Sequence, residues 1–275
     1  MQTIILGLLA ETFIHPGSGR TGGAIDLPVA REAATDYPYM AGSSLKGALR
    51  DQYEQKFSKG EADILFGKSD NAGQVLVSDA RLLLLPVRSM TSAYKWATCR
   101  HLLERYARDL IRCGLSAGSP QIATLEAKSY LGAGGSDKKL YLEERSFQHA
   151  GGLPDWLAEL VGQLIQHQTT KDRLPGQMVI LPDNDFAWFA RYGLAVQARN
   201  KLEENKTSNN LWYEESIPPD TLMYTLLAGR QADTLTAIQK IFDECAYLQA
   251  GGNETVGQGW FAVRKFYAKK EQTNV

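Results

Sequence analysis

"IDLPVAREAATDYPYMAGSSLKGALR", residues 25–50, sets a carboxylate beside a proline, follows it with a polar loop, and ends in a serine pair ahead of two cations. Pro28 biases Leu27 toward extended backbone, so the Asp26 side chain is held in a defined direction. From Ser44 to Phe57 the apolar residues Leu45, Ala48, Leu49 and Tyr53 recur at helical spacing, which predicts a helix. Its start offers unpaired N–H groups and the positive end of the helix dipole to an anion. Ser43 or Ser44 is suited to cap it, and Lys46 and Arg50, four residues apart, share one face. Spacing alone leaves two readings open: an anion site, or a well-capped helix with solvated cations. The Gly-Lys-Ser/Thr order of a nucleotide-binding loop is absent.

Upstream, Thr3 to Leu9 is an apolar, partly β-branched run that reads as a buried strand. It leads into a loop carrying Gly17, Gly19, Gly22 and Gly23, where backbone can approach a ligand closely. A carboxylate in such a loop can bind a divalent cation or take a proton, although a lone loop aspartate is ordinarily a turn former. His15 lies in the same loop. His101, His149 and His167 stand apart, with no HExxH or His-x-His pattern. No GxSxG elbow is present, so acyl-enzyme hydrolysis is excluded as a reading.

Downstream, "QVLVSDARLLLLPV" predicts one or two strands closed by Pro86, and Ala93 to Cys113 predicts the longest helix. A strand at Leu140–Arg145, a helix over "LPDWLAELVGQLIQH", and a strand followed by a short helix from Asp183–Asp185 come next. Two strands then flank the polar excursion Asn200–Asn210, which is too poor in large apolar residues to hold a core and predicts an exposed hairpin. A Pro-Pro turn, a further strand and a helix over Ala232–Tyr247 follow. "GGNETVGQGW" places Gly251, Gly252, Gly257 and Gly259 ahead of a last strand at Phe261–Tyr267. That order is not the Rossmann one, which opens a helix, but its N–H groups can wrap a phosphodiester backbone. The tail from Lys269 is expected to fray. Irregular alternation with short turns argues for an α+β fold with antiparallel sheet, in the texture of two ferredoxin-like halves.

The 275 residues suit one large domain; 44% are hydrophobic and 22% charged, as in ordinary globular proteins. No apolar run approaches the roughly 20 residues of a membrane span. Three scattered cysteines without a CxxC pair point to a reducing, cytoplasmic setting. With 30 basic against 31 acidic residues, any polyanion must be met by cations gathered on one face.

Taken together, "HPGSGRTGGAIDLPVAREAATDYPYMAGSSLKGALR", "LWYEESIPPDTLMY" and "GGNETVGQGW", in this order, resemble the RAMP-superfamily backbone subunits of type III CRISPR effector complexes, Cmr subtype (type III-B). The likeness is most specific across residues 17–50. It implies a single RAMP domain over residues 1–275, built as a ferredoxin-like (RNA-recognition-motif) palm with a glycine-rich loop. It further implies an inserted helical segment at about 89–174 and a protruding β-hairpin thumb at about 194–213. Subunits of this family bind guide RNA, stack into a helical filament with further copies and other effector subunits, and cut target RNA at regular intervals. That cutting requires the loop aspartate, here Asp26, with a divalent cation, Mg or Mn. His15 is a second catalytic candidate, as proton donor or phosphate contact; Glu214 or Glu215, of which Glu215 is preferred, is a third. Arg31, Ser43, Ser44, Lys46, Arg50 and the four glycines 251, 252, 257 and 259 are the implied RNA contacts. Two other readings remain open at this point: a RAMP endoribonuclease that processes guide precursors, and a non-catalytic RNA-binding scaffold.

Overall fold

The computed structural model describes residues 2–20, 22–115, 121–134, 139–204, 206–231 and 233–266. The first part of the chain forms β1 (Gln2–Ala10), β2 (Tyr39–Met40), α1 (Gly42–Lys56) and α2 (Lys59–Phe66). A small hairpin of β3 (Gly67–Lys68) and β4 (Asn71–Ala72), then β5 (Val75–Val77) and β6 (Ala80–Arg88), complete it. The middle holds β7 (Tyr94–Cys99), α3 (Arg100–Arg112), β8 (Ser129–Gly132), β9 (Leu140–Leu142), β10 (Arg145–Gly151), α4 (Asp155–Gly162), α5 (Gln168–Gln177), β11 (Met178–Leu181) and α6 (Asp183–Tyr192). The last part contains β12 (Ala195–Leu202), β13 (Ser208–Ser216), β14 (Leu222–Gly229), α7 (Thr234–Gln239), β15 (Tyr247–Gln249) and β16 (Trp260–Phe266).

One mixed sheet runs β15-β16-β1-β14-β6-β7-β11-β8-β10-β9. The near-continuous apolar run of β1 places it well inside that sheet, antiparallel to both neighbours, with Ile5 opposite Leu226 on one side and Phe266 on the other. Strands buried on both faces read as unbroken apolar runs, which is why the pattern was legible. α7 packs on β1 and β14, α1 lies along β5 and β15, and α3 covers β6 and β7. The expected α+β class is what the chain adopts.

At Gly7 the α4–α5 link presses directly on β1. A Cβ there would lie 2.0 Å from the Leu164 carbonyl oxygen and 2.6 Å from its carbon. Gly7→Ala is therefore expected to cost about 2 kcal/mol through overpacking against backbone that has no rotamer to yield. A fall in urea midpoint without a change in slope would show it; an unchanged midpoint would mean the link is loosely seated.

Four expectations need correcting. Tyr94–Cys99 is strand β7, not the start of a helix; α3 begins only at Arg100. β7 is claimed by neighbours on both sides, with Trp96 opposite Pro86 on β6 and, in parallel, Met178 on β11. The fully buried indole donates to the Asp220 carbonyl at 2.8 Å. Pro86 does not close β6, because the pairing with β14 reaches only Leu84, so no partner on that edge needs the missing N–H. The predicted helices at 154–167 and 232–247 are each shorter. Leu164 and Ile165 belong to the link, and Tyr247–Gln249 is drawn into the sheet by β16. Segment 89–174 is mixed α and β, and its strands extend the palm sheet. The tail from 267 lies outside the described residues.

Two of the three cysteines are sealed. Cys99 sits 3.7 Å from the Tyr37 hydroxyl, and burial pushes its thiol up to about 12; Cys113 is also raised by burial, while Cys245 is exposed. The thiolate is the reacting form, so a raised thiol stays protonated and inert at pH 8. Brief alkylation at that pH is expected to modify Cys245 alone, with Cys99 and Cys113 reacting only in denaturant. Mass spectrometry of tryptic peptides reads the outcome.

Candidate active site

The site is assembled where β1 ends. Beyond Ala10 the chain zips against the β13–β14 link, with Ile14 and Ile217 exchanging N–H···O bonds of 3.0 and 2.8 Å. His15 then bridges to Gly252, whose N–H donates to the His15 carbonyl at 2.9 Å. After the glycine loop the chain returns along the free side of β13. Leu27 donates to the Tyr213 carbonyl at 3.1 Å and accepts from the Glu215 N–H at 3.0 Å. This short parallel ladder is what holds Asp26. Its Oδ2 accepts the Tyr213 N–H at 2.8 Å, and the side chain is half-buried at the foot of the hairpin.

The β12–β13 hairpin is the expected thumb, running from Ala195 opposite Ser216 to Leu202 opposite Ser208, three residues further into the palm than the sequence suggested. Leu211 and Tyr213 are exposed on it.

His15 is buried, and its Nδ1 lies 2.7 Å from the Glu215 carbonyl oxygen. A carbonyl only accepts, so Nδ1 carries the hydrogen and the neutral ring keeps its lone pair on Nε2. Nε2 faces the loop: a Cβ on Gly17 would stand 2.9 Å from it. The glycine at 17 leaves that nitrogen its room.

The structure gives Glu215 and Arg31 other work. Glu215 is 4% exposed, binds Arg31 Nη2 through Oε1 at 2.7 Å, and takes the Val29 N–H on Oε2 at 3.1 Å. The Arg31 guanidinium also donates to the carbonyls of Asp36, Ala190 and Arg191 at 2.7, 2.7 and 3.2 Å. Both groups are spent on binding the returning loop to β13 and to the end of α6. Glu215 is therefore an anchor, not a general base, and Arg31 has no fork left for a phosphate. Glu214 takes the place beside His15, 4.0 Å from Nδ1, and is held by Asn253. Asn253 and Arg199 were not foreseen; the only sequence signal was an amide directly after two glycines.

The glycine-rich loop packs beside His15. Gly259 has φ 91° and donates to the Phe13 carbonyl at 2.9 Å; a Cβ there would meet the Ala250 oxygen at 2.6 Å. Gly251, at φ 103°, lies against the His15 carbonyl, and Gly257 faces open space.

The α1 cluster is separate. Ala41 occupies the N-cap position, and the Gly42 N–H is taken by Asp79 Oδ1 at 2.7 Å, so neither serine caps the helix. Ser43 and Ser44 are exposed and Lys46 half-buried; Ser43 and Lys46 line a cleft completed by Gly47, Lys68 and Asn71. Arg50 lines that cleft, but its donors go to Glu54 at 2.7 Å, to Asp63 and to the Gly67 carbonyl. It fastens α1 to α2. Lys46, Ser43 and Ser44 remain the groups that face outward.

Among the described residues no three His, Cys, Asp or Glu side chains gather as a metal cluster. A cation at Asp26 would thus rest on one carboxylate, a donor set that suits Mg²⁺, which commonly completes its shell with water and substrate phosphate. No described helix is long and apolar enough to cross a membrane.

The RAMP superfamily profile matches residues 8–262. A curated relative, the CRISPR system Cmr endoribonuclease Cmr4 of Pyrococcus furiosus, is 32% identical over 293 aligned positions covering 100% of this chain and 98% of its own. The chain belongs to the Cmr4 family of the RAMP superfamily. The crystal structure of oligomeric Cmr4 from Pyrococcus furiosus superposes with a TM-score of 0.78 at 27% identity, over 98% of this chain and 99% of that one. The cryo-EM structure of type III-B Cmr-beta bound to cognate target RNA contains a chain of the same fold, with TM-score 0.78 at 21% identity, covering 96% and 97%. For the Cmr4 fold, then, the palm, the glycine-rich loop and the hairpin are all in place in this chain.

Proposed function

We propose that this chain is the guide-RNA-binding backbone subunit of a type III-B effector complex and cuts target RNA beside each copy, in the cytoplasm, with Mg²⁺ or Mn²⁺. The observation that carries this is the placement of Asp26: its carboxylate is pinned to the backbone of the thumb strand at Tyr213, while His15, bonded to the same strand at Glu215, turns Nε2 toward the glycine loop at Gly17. The full-length likeness to a Cmr endoribonuclease supports it. Further copies of the chain and other effector subunits complete the assembly. Ser43, Ser44 and Lys46 meet guide phosphates on α1, and the glycine-rich loop lies along the same backbone.

The hairpin, entering the guide–target duplex, pushes a nucleotide out of the stack and brings a target ribose 2′-hydroxyl in line with its own phosphate. Alignment of that kind is worth up to about 7–11 kcal/mol of barrier at the extreme. The 2′-oxygen forms its bond to phosphorus as the bond to the 5′-oxygen breaks, leaving a cyclic phosphate and a 5′-hydroxyl. The 2′-proton passes to solvent water as the 2′-oxygen attacks, a transfer that the negative charge of Asp26 favours. His15, once Nε2 has taken a proton from solvent while Nδ1 keeps its bond to the Glu215 carbonyl, gives that proton to the departing 5′-oxygen. Asp26 would hold the divalent ion, which would supply Lewis-acid stabilisation of the charge developing on the phosphate.

The test is cutting of end-labelled target RNA by the complex reconstituted with guide, in Mg²⁺ or Mn²⁺ and with EDTA. Regularly spaced products that vanish with EDTA are expected. A single cut in guide precursor by the chain alone identifies a processing enzyme instead, and RNA binding without cutting a scaffold.

A further inference from the structure

Glu214 is 3% exposed, and its neighbours come from three separate elements. Its Oε1 accepts from Asn253 Nδ2 on the glycine-rich loop, stands 3.8 Å from Arg199 Nη2 on β12, and 4.0 Å from His15 Nδ1. Asn253 is fixed in turn. Its amide also donates to Gln258 Oε1 at 3.0 Å, so both N–H groups are placed, and its backbone is left-handed at φ 64°. Arg199 Nε and Nη2 are buried and find no hydrogen-bond partner among the described residues, leaving Glu214 as the counter-charge that faces them. A buried carboxylate with one firm donor is oriented by that donor.

We propose that Asn253 is a positioning residue for RNA cutting: by holding Glu214 it ties the glycine-rich loop to both His15 and the thumb, so the seating of that loop fixes the geometry around Asp26. The inference rests on the cleavage reading above. Asn253 touches no reacting atom; it acts through Glu214.

Three variants in the assembled complex test it, with single-turnover cutting, guide and target affinity, and melting temperature as readouts. Asn253→Gly keeps the left-handed backbone without strain and deletes the amide. It is expected to slow cutting roughly 10-fold with both affinities unchanged, as a misplaced group would. Asn253→Asp sets a second carboxylate against Glu214 and should slow cutting roughly 100-fold. Combining Asn253→Asp with Glu214→Gln reverses the hydrogen bond and keeps the net charge, so it should recover most of that loss. Wild-type cutting by Asn253→Gly, or a double variant no faster than Asn253→Asp alone, overturns the proposal. If the wild-type complex itself does not cut, the cleavage reading fails. The coupling is then read in the free chain, where Asn253→Gly should move the His15 ring-proton NMR signals; unmoved signals overturn it.

Discussion

Asp26→Asn is expected to reduce target-RNA cutting by the assembled complex about 10³-fold while RNA affinity stays within about twofold of wild type. The substitution keeps an oxygen able to accept the Tyr213 N–H, the 2.8 Å bond that holds the loop to β13, so the local fold should survive. What is removed is the charge. A unit charge about 4 Å from its partner in a partly dry site, at an effective dielectric near 20, is worth about 4 kcal/mol. That converts to about three decades of rate. Asp26→Ala, which also deletes the anchor to Tyr213, should cut no better and should melt earlier. Cutting by Asp26→Asn within a factor of a few of wild type would remove the aspartate from the chemistry and leave His15 as the group to pursue.

Arg31→Ala is expected to destabilise the chain by about 3–5 kcal/mol, the cost of stranding one partner of a buried ion pair. The estimate is anchored in burial: the side chains of Glu215 and Arg31 are only 5% and 19% exposed. Removing the guanidinium leaves the Glu215 carboxylate with the Val29 N–H alone and strips three carbonyls, on Asp36, Ala190 and Arg191, of their donor. Glu215→Ala strands the arginine instead and should cost somewhat less, because Arg31 retains those carbonyls. The double variant should be much less destabilised than the sum, with a coupling of about 2 kcal/mol or more in a denaturation cycle. Additive losses would mean the two side chains do not depend on each other.

The sequence showed where the loop, the hairpin and the glycine-rich turn would be, because each is a departure from periodicity: glycine clusters, a run of small polar residues, a Pro-Pro corner. β1 and α1 were equally legible from their apolar patterns. Tyr94–Cys99 was not. Its stripe fits a helical period, and only pairing to β6 and β11, strands distant in sequence, decides against that. The same blindness to long-range partners governed the charged residues. Nothing local to Arg50 reveals Asp63 across the α1–α2 turn, nor does anything near Glu215 reveal an arginine 184 positions earlier. Asp26 could be selected by likeness to a family, whereas the division of labour between Glu214 and Glu215 required knowing which carboxylate meets Arg31 and which meets Asn253.

The bond between Asp26 and the backbone of Tyr213 has a mechanical consequence. The acid hangs from the same strand that forms one arm of the hairpin, and it travels with that arm whenever the hairpin tilts. On the cleavage reading proposed above, ruler and blade are one piece: where the hairpin enters a duplex would decide where the carboxylate arrives, so the register of cutting would be a property of how each copy is seated beside the next, with no separate measuring element needed.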